Sequence, residues 1–296
     1  MSSKVWFGNR AKQAWIPAPQ AGLEWSLIKR SNLISLENGG VYVDDSRASH
    51  RESTPEWAGT PAELRTIKEF ENGVWGPGPY WLVDPYVADI NMLSPWWAAP
   101  GIIADGDWPE IGPGAGVAAS LATGPLGQPT RAITYTPTVL HNGALPTRRF
   151  TILIPPGHKL AFGAHGTRTG SGVIALRGTT AAGGVTNATA IPLDPTGNTV
   201  FSSTTLFPYS SGFRVVDIFL ARSTVTTSTV TLSSIRARLL REDSFIATSG
   251  TPFASGEGAA DLSFSGSLRE VPEFIGHRGN PATRRKRLSV KLVEQW

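Results

Sequence analysis

A chain of 296 residues with a net charge of +4 and no cysteine has room for two domains, because single cores stop growing near about 250–300 residues. The missing cysteine excludes disulfides, thiolate metal sites and cysteine nucleophiles, and fits synthesis in a cytosol. With 32 glycines, 23 prolines and 40% hydrophobic residues, the composition points to many short strands joined by turns, and ten tryptophans with twelve phenylalanines argue against a disordered chain.

The first twenty residues carry no apolar core of signal-peptide length, and no window approaches the ~18 apolar residues of a membrane span. The expectation is a soluble chain without a signal peptide. Residues 1–100 open with short strands at 5–7, 23–29 and 40–43. A further strand at 50–57 contains Pro55, which places it at an edge or a bulge. Thr60-Pro61-Ala62-Glu63 is a capping box with proline in the first turn. Leu64, Ile67 and Phe70 follow on one face, and Gly73 sits where a C-cap belongs. This is the one helix that the pattern predicts. Residues 78–100 carry Tyr80-Trp81, Asp84-Pro85 and Trp96-Trp97. They read as a strand at 80–83, a turn at Asp84-Pro85 and a proline-stiffened loop without helix.

Residues 101–129 are rich in Gly, Ala and Pro and read as a linker or crossing loop. From 130 to 245, strands are expected at 131–135, 149–154, 160–164, 172–177, 188–193, 199–207, 213–221, 225–232 and 235–241. So many strands with no helix between them predict an antiparallel jelly roll. The poorly alternating stretch 214–220 marks a central strand. Residues 246–255 form a return linker, and strands at 260–265 and 288–293 follow. Leu288, Val290 and Leu292 alternate as a half-buried ladder. About forty residues are too few to fold alone, so this tail completes the sheet of the first block. The predicted architecture is a discontinuous domain, 1–100 plus 256–296, interrupted by a sandwich.

Catalytic signatures are thin. The five histidines, His50, His141, His158, His165 and His277, are not spaced as metal pairs. Gly112 opens a glycine-rich stretch that lacks the Lys-Ser/Thr of a phosphate loop. Paired carboxylates for glycoside hydrolysis are wanting too: within 130–245 the acids are Asp194, Asp217, Glu242 and Asp243, with Asp217 the one borne on a strand. No cofactor is implied. The aromatic run from Trp57 through Trp108 divides between core, protein interface and ligand stacking. Trp81, Asp84, Pro85, Trp96 and Trp97 are the interface candidates. Arg284-Arg285-Lys286-Arg287 concentrates positive charge, as a solvated loop or a nucleic-acid contact.

The order of motifs resembles a family. Gly-Gly-Val-Tyr (39–42), Ser-Arg-Ala-Ser-His-Arg (46–51), Trp57 and the capped helix come first. Gly-Pro-Gly-Pro-Tyr-Trp-Leu-Val-Asp-Pro (76–85), Ile-Asn-Met-Leu (90–93), Trp-Trp-Ala-Ala-Pro (96–100) and Leu-Ser-Val-Lys-Leu-Val-Glu (288–294) follow. Over about 140 residues this resembles minor tail proteins of long, non-contractile-tailed phages of actinobacteria, and among them distal tail proteins. The resemblance implies a mostly β fold: a tail-tube-like β-sandwich or split barrel with one helix, and an inserted galectin-like or carbohydrate-module-like jelly roll. It also implies a homo-hexameric ring in the virion tail, joining the tail tube protein to tip or baseplate proteins around the channel that DNA crosses. Such a protein is made in the cytoplasm of the bacterial host. It would be a virion structural protein and not an enzyme, with no membrane insertion, and its outward domain would be the part to meet a host surface glycan. On that reading Tyr80 and Trp81 pack under the helix, and Trp96-Trp97 anchor the crossing or a neighbouring subunit. The alternatives from the residues alone are a stand-alone carbohydrate-binding module and a two-carboxylate glycan hydrolase.

Overall fold

A computed structural model describes residues 4–35, 41–99, 114–125, 129–146, 149–185, 189–193, 195, 199–201, 207–244, 256, 258–272 and 285–294. In chain order the strands are β1 (Lys4–Gly8), β2 (Gln13–Pro17), β3 (Ser26–Ser35), β4 (Val41–Ser53) and β5 (Glu56–Gly59), then helix α1 (Pro61–Glu71) and β6 (Tyr80–Val83). Two short helices, α2 (Pro85–Ile90) and α3 (Pro95–Ala98), follow. Next come β7 (Gly114–Thr123), β8 (Pro129–Pro137), β9 (Phe150–Leu153), β10 (His158–Thr169), β11 (Gly172–Thr180), β12 (Thr189–Pro192) and β13 (Thr199–Phe201). A single 3-10 turn (Tyr209–Ser211) precedes β14 (Phe213–Arg222) and β15 (Thr229–Arg241), and β16 (Ala259–Pro272) and β17 (Lys286–Glu294) close the chain. The fold is mostly β, and every strand pairing whose register is described is antiparallel.

Two compact units emerge: Met1–Leu82 with Ala259–Trp296, and Val83–Gly258. In the first, one eight-stranded sheet runs β2-β1-β6-β16-β17-β4-β3, with β5 also on β17. No pairing among the described residues joins end strand β2 to end strand β3, so this sheet is open. The C-terminal strand β17 lies inside it. Leu288 faces Trp57 of β5, and Leu292 faces Ser53 of β4. Thr54-Pro55 separates β4 from β5; proline has no N–H for the ladder, so β17 is met by two short strands in succession. The alternation of Leu288, Val290 and Leu292 puts all three in the core at 0–2% exposure.

Helix α1 covers that core. The Thr60 backbone N–H donates to Glu63 Oε2 at 2.8 Å, and Glu63 N–H donates to Thr60 Oγ1 at 3.4 Å, so the capping box is formed. Gly73 lies just past the C-cap at φ +70°, where L side chains are strained. Phe70 packs edge-on against Phe7 at 5.3 Å between ring centres. Tyr80 stacks on Phe7 and donates its hydroxyl to the Phe70 carbonyl at 2.9 Å.

The second unit has a five-stranded sheet, β13-β10-β15-β8-β7, and a four-stranded one, β12-β11-β14-β9, as a sandwich of jelly-roll type requires. β14, the stretch without alternation, lies between β11 and β9. Strands expected at 225–232 and 235–241 are one strand, β15, preceded by a turn in which Val225 is exposed. Its partner β10 absorbs a bulge at His165/Gly166. A side chain at Gly166 would run into the Thr231 carbonyl, so the bulge needs glycine. The strand expected at 199–207 is described only at Thr199–Phe201.

Three expectations are corrected. Residues 114–123, read as linker, form edge strand β7, paired with β8 from Gly114↔Pro137 to Thr123↔Pro129. A Gly- and Ala-rich segment carries no pattern of its own, but the β8 edge supplies its hydrogen bonds. The prolines at 85 and 95 do not prevent helix; each stands at the first helical position, where no N–H is needed, and starts α2 and α3. Finally, 83–99 belongs to the inserted unit and not to the first domain. β8 covers β15 only at Val230–Leu232. Further along, Met92 N–H donates to the Ala237 carbonyl at 2.9 Å. The buried Asn91 side chain donates to Ile235 O at 3.2 Å and accepts from Ala237 N at 3.2 Å. An amide side chain thus takes the place of a peptide unit on this edge.

Candidate functional site

The predicted interface residues separate. Trp81 is buried at 5% exposure, but alternation on β6 turns it from the face that Tyr80 and Leu82 share with the helix. Its indole nitrogen finds no partner among the described residues. The Asp84 carbonyl accepts from Ala88 N–H at 2.8 Å, opening α2 at Pro85 instead of a turn. Trp97 is buried in the inserted unit, edge-on to Phe150. The side chains of Pro85 and Trp96 lie outside the described residues.

Two residues of the basic run, Lys286 and Arg287, are held in ion pairs. Arg284 lies outside the described residues, and Arg285 is exposed at the start of β17. Lys286 pairs with Glu270, which also binds Lys68 of α1. Arg287 reaches Glu56 at 3.1 Å. The Lys286 and Lys68 ammonium groups hold the Glu270 carboxyl below its ordinary value. In the same unit Glu294 forms a two-pronged pair with Arg51, at 2.6 and 2.7 Å, with both side chains buried. Arg51 also lies over the Trp25 ring at 5.0 Å. Burial pushes the Glu294 carboxyl up, against the pull of Arg51.

The histidines are dispersed. His50 contacts Glu52 at 2.8 Å, and His165 contacts the Thr123 carbonyl at 3.0 Å. His158 and His165 sit an odd number of residues apart on β10, hence on opposite faces. His277 lies outside the described residues. Among the described residues no group of three His, Asp or Glu side chains stands ready for a metal.

Asp217 is the most buried charge, at 0% exposure in the middle of β14. Arg149 Nε donates to its Oδ1 at 3.1 Å, and Thr151 Oγ1 donates to the same oxygen at 2.8 Å. Directly opposite on the neighbouring strands stand Thr151 and Arg177. Arg177 Nη2 donates to the carbonyls of His141 and Gly143, at 3.0 and 2.7 Å. Sequence reading had singled out Asp217 alone; nothing in the spacing of 149, 151, 177 and 217 announces that they meet.

A scan against protein-family models finds no match, and neither does a search of the curated proteins. Among solved structures, the chain is similar to an exo-β-agarase at 13% identity and TM-score 0.27, over 43% of this chain and 23% of that one. It is similar to the enzymatically active domain of tailspike protein 4 of bacteriophage CBA120 at 17% identity and TM-score 0.28, over 53% and 22%. A third similarity is to the CBM22-1–CBM22-2 tandem of Xyn10C from Paenibacillus barcinonensis, at 13% identity and TM-score 0.29, over 58% and 54%. The chain therefore spans less than two thirds of each of these proteins, and at such scores the likeness carries no conclusion about fold or function.

Proposed function

We propose that this chain is a structural protein of a long, non-contractile phage tail. It forms a ring at the distal end that joins tail tube to tip around the DNA channel, and the inserted sandwich serves host attachment. The observation that carries this reading is the interrupted first unit: β1–β6 and the distant β16 and β17 share one sheet, with a whole β unit hung between them. Such a plan keeps a assembling unit intact while a second unit is presented from it. On this reading the role is geometric and not catalytic. Mixing the purified chain with its tail tube protein and imaging the tubes tests the reading. Added density at one tube end is expected; bare tubes with free chain would contradict it.

A stand-alone carbohydrate-binding protein is the second reading. What favours it is the polar face around Asp217 and Arg177, together with Phe219, on one sheet of the sandwich.

A further inference from the structure

The four-stranded sheet has two unlike faces. Ile174, Leu176, Ile218 and Leu220 make one of them apolar. The other carries Arg177, Asp217, Thr151 and Phe219, and residues 138–146 strap it down. The strap is tied at its base by Arg222 N–H to Val139 O and His141 N–H to Arg222 O, at 2.9 and 3.0 Å. Two guanidinium groups tie the rest: Arg177 to the carbonyls of His141 and Gly143, and Arg149 to that of Pro146 at 2.6 Å.

Under the strap two guanidinium groups share one carboxylate. Arg149, itself partly exposed, pairs with Asp217 through Oδ1 alone, and Asp217 also stands directly opposite Arg177. Arg177, at 7% exposure, has only two carbonyl dipoles and the Phe219 ring, 5.7 Å away. Its Nε donates to nothing among the described residues, and His141 Nδ1 in the strap likewise lacks a partner. A buried guanidinium N–H that donates to nothing is costly, and a guanidinium edge with Nε unused is the edge that takes a carboxylate in two parallel bonds.

We infer that this face is a binding site for a sugar carboxylate, a uronic acid unit of an acidic glycan, with Arg177 as its anchor. The carboxylate takes Nε and Nη2 of Arg177 and displaces the His141 and Gly143 carbonyls, so the strap opens as the ligand enters. The Phe219 ring provides an apolar floor for the sugar, and Thr151 and Asp217 face its hydroxyls. The single excess positive charge selects an acidic sugar over a neutral one. This deepens the attachment part of the proposed function and rests on it for biological purpose only, because binding is read on the isolated chain.

The test is calorimetric titration of the full chain with sodium oligogalacturonate, its methyl ester and polyglycerol phosphate. Oligogalacturonate should bind, the ester should bind at least about tenfold more weakly, and added salt should weaken the acidic ligand alone. Arg177→Lys, which keeps the charge but loses the fork, should cost about tenfold or more. No binding, equal binding of the ester, preference for the phosphate polymer, or an unchanged Arg177→Lys would each overturn the inference. Should that variant misfold, hydrogen exchange on the wild-type chain decides: oligogalacturonate should raise exchange at the His141 and Gly143 amides, and unchanged or slower exchange there overturns strap opening. Rings without oligogalacturonate binding would sink this inference alone; binding without rings would sink the tail reading alone.

Discussion

Arg51 and Glu294 stand 243 positions apart and meet inside the first unit, with two hydrogen bonds and almost no exposure. Breaking one side leaves the other charge buried and unanswered. Glu294→Leu, which removes both carboxylate acceptors of the buried Arg51 guanidinium, should therefore lower unfolding stability in urea by about 3–5 kcal/mol. Replacing both, as Arg51→Met with Glu294→Leu, should recover most of that loss, because a packed apolar pair avoids the desolvation cost. The acid side of the stability profile has two opposed contributions. Glu270 is held below its ordinary value of 4.5, so its contribution is full above that value and is lost as pH falls through the lower folded one. Glu294 is raised above 4.5, so its contribution is present below that value and is lost as pH rises through the raised one. Chemical unfolding of Glu270→Gln across pH should show a shallower loss of stability below pH 4.5 than the wild type; an equally steep loss would exclude Glu270 as its source. None of this was legible beforehand. A residue's local neighbours are written beside it, whereas the partner of Arg51 is chosen by the strand order β4-β17.

At the scale of elements, what the sequence makes legible is what is decided locally. The Thr60–Glu63 box, the Leu64, Ile67 and Phe70 face and Gly73 all lie within one helix, and all are as the pattern predicts. Thr60→Ala should cost about 1 kcal/mol in thermal unfolding by removing that cap. Strand existence was legible from alternation, but strand β7 was not, because Gly and Ala carry no period and its pairing comes from β8. The helices α2 and α3 were missed because proline was read as a breaker, when at a first helical position it is a starter. The 91–94 segment is fixed in the same non-local way. Gly258 N–H donates to Leu93 O at 2.9 Å, and a side chain at Gly258 would sit on the Met92 carbonyl. Gly258→Ala should loosen this edge, seen as faster hydrogen exchange at the Met92 and Ala237 amides. Unchanged exchange would show that the segment does not depend on the close approach.

At the scale of the molecule, the discontinuous plan was legible from one piece of arithmetic: a tail too short to fold alone must finish a sheet begun elsewhere. The division points were not, since Leu82/Val83 and Gly258/Ala259 are set by the hydrogen bonds of Asn91 and Met92 to β15. Removing β17 would strip the first sheet of the strand that joins β16 to β4 and β5. A chain ending before Lys286 should therefore lose the cooperative unfolding of the first unit. Ring assembly is the central claim, because a closed ring of identical subunits uses a head-to-tail contact repeated until it closes. Negative-stain electron microscopy of the purified chain, alone and with its tail tube protein, with mass by light scattering, tests it most directly. Six-fold rings are the predicted result. A strict monomer under both conditions would contradict the account.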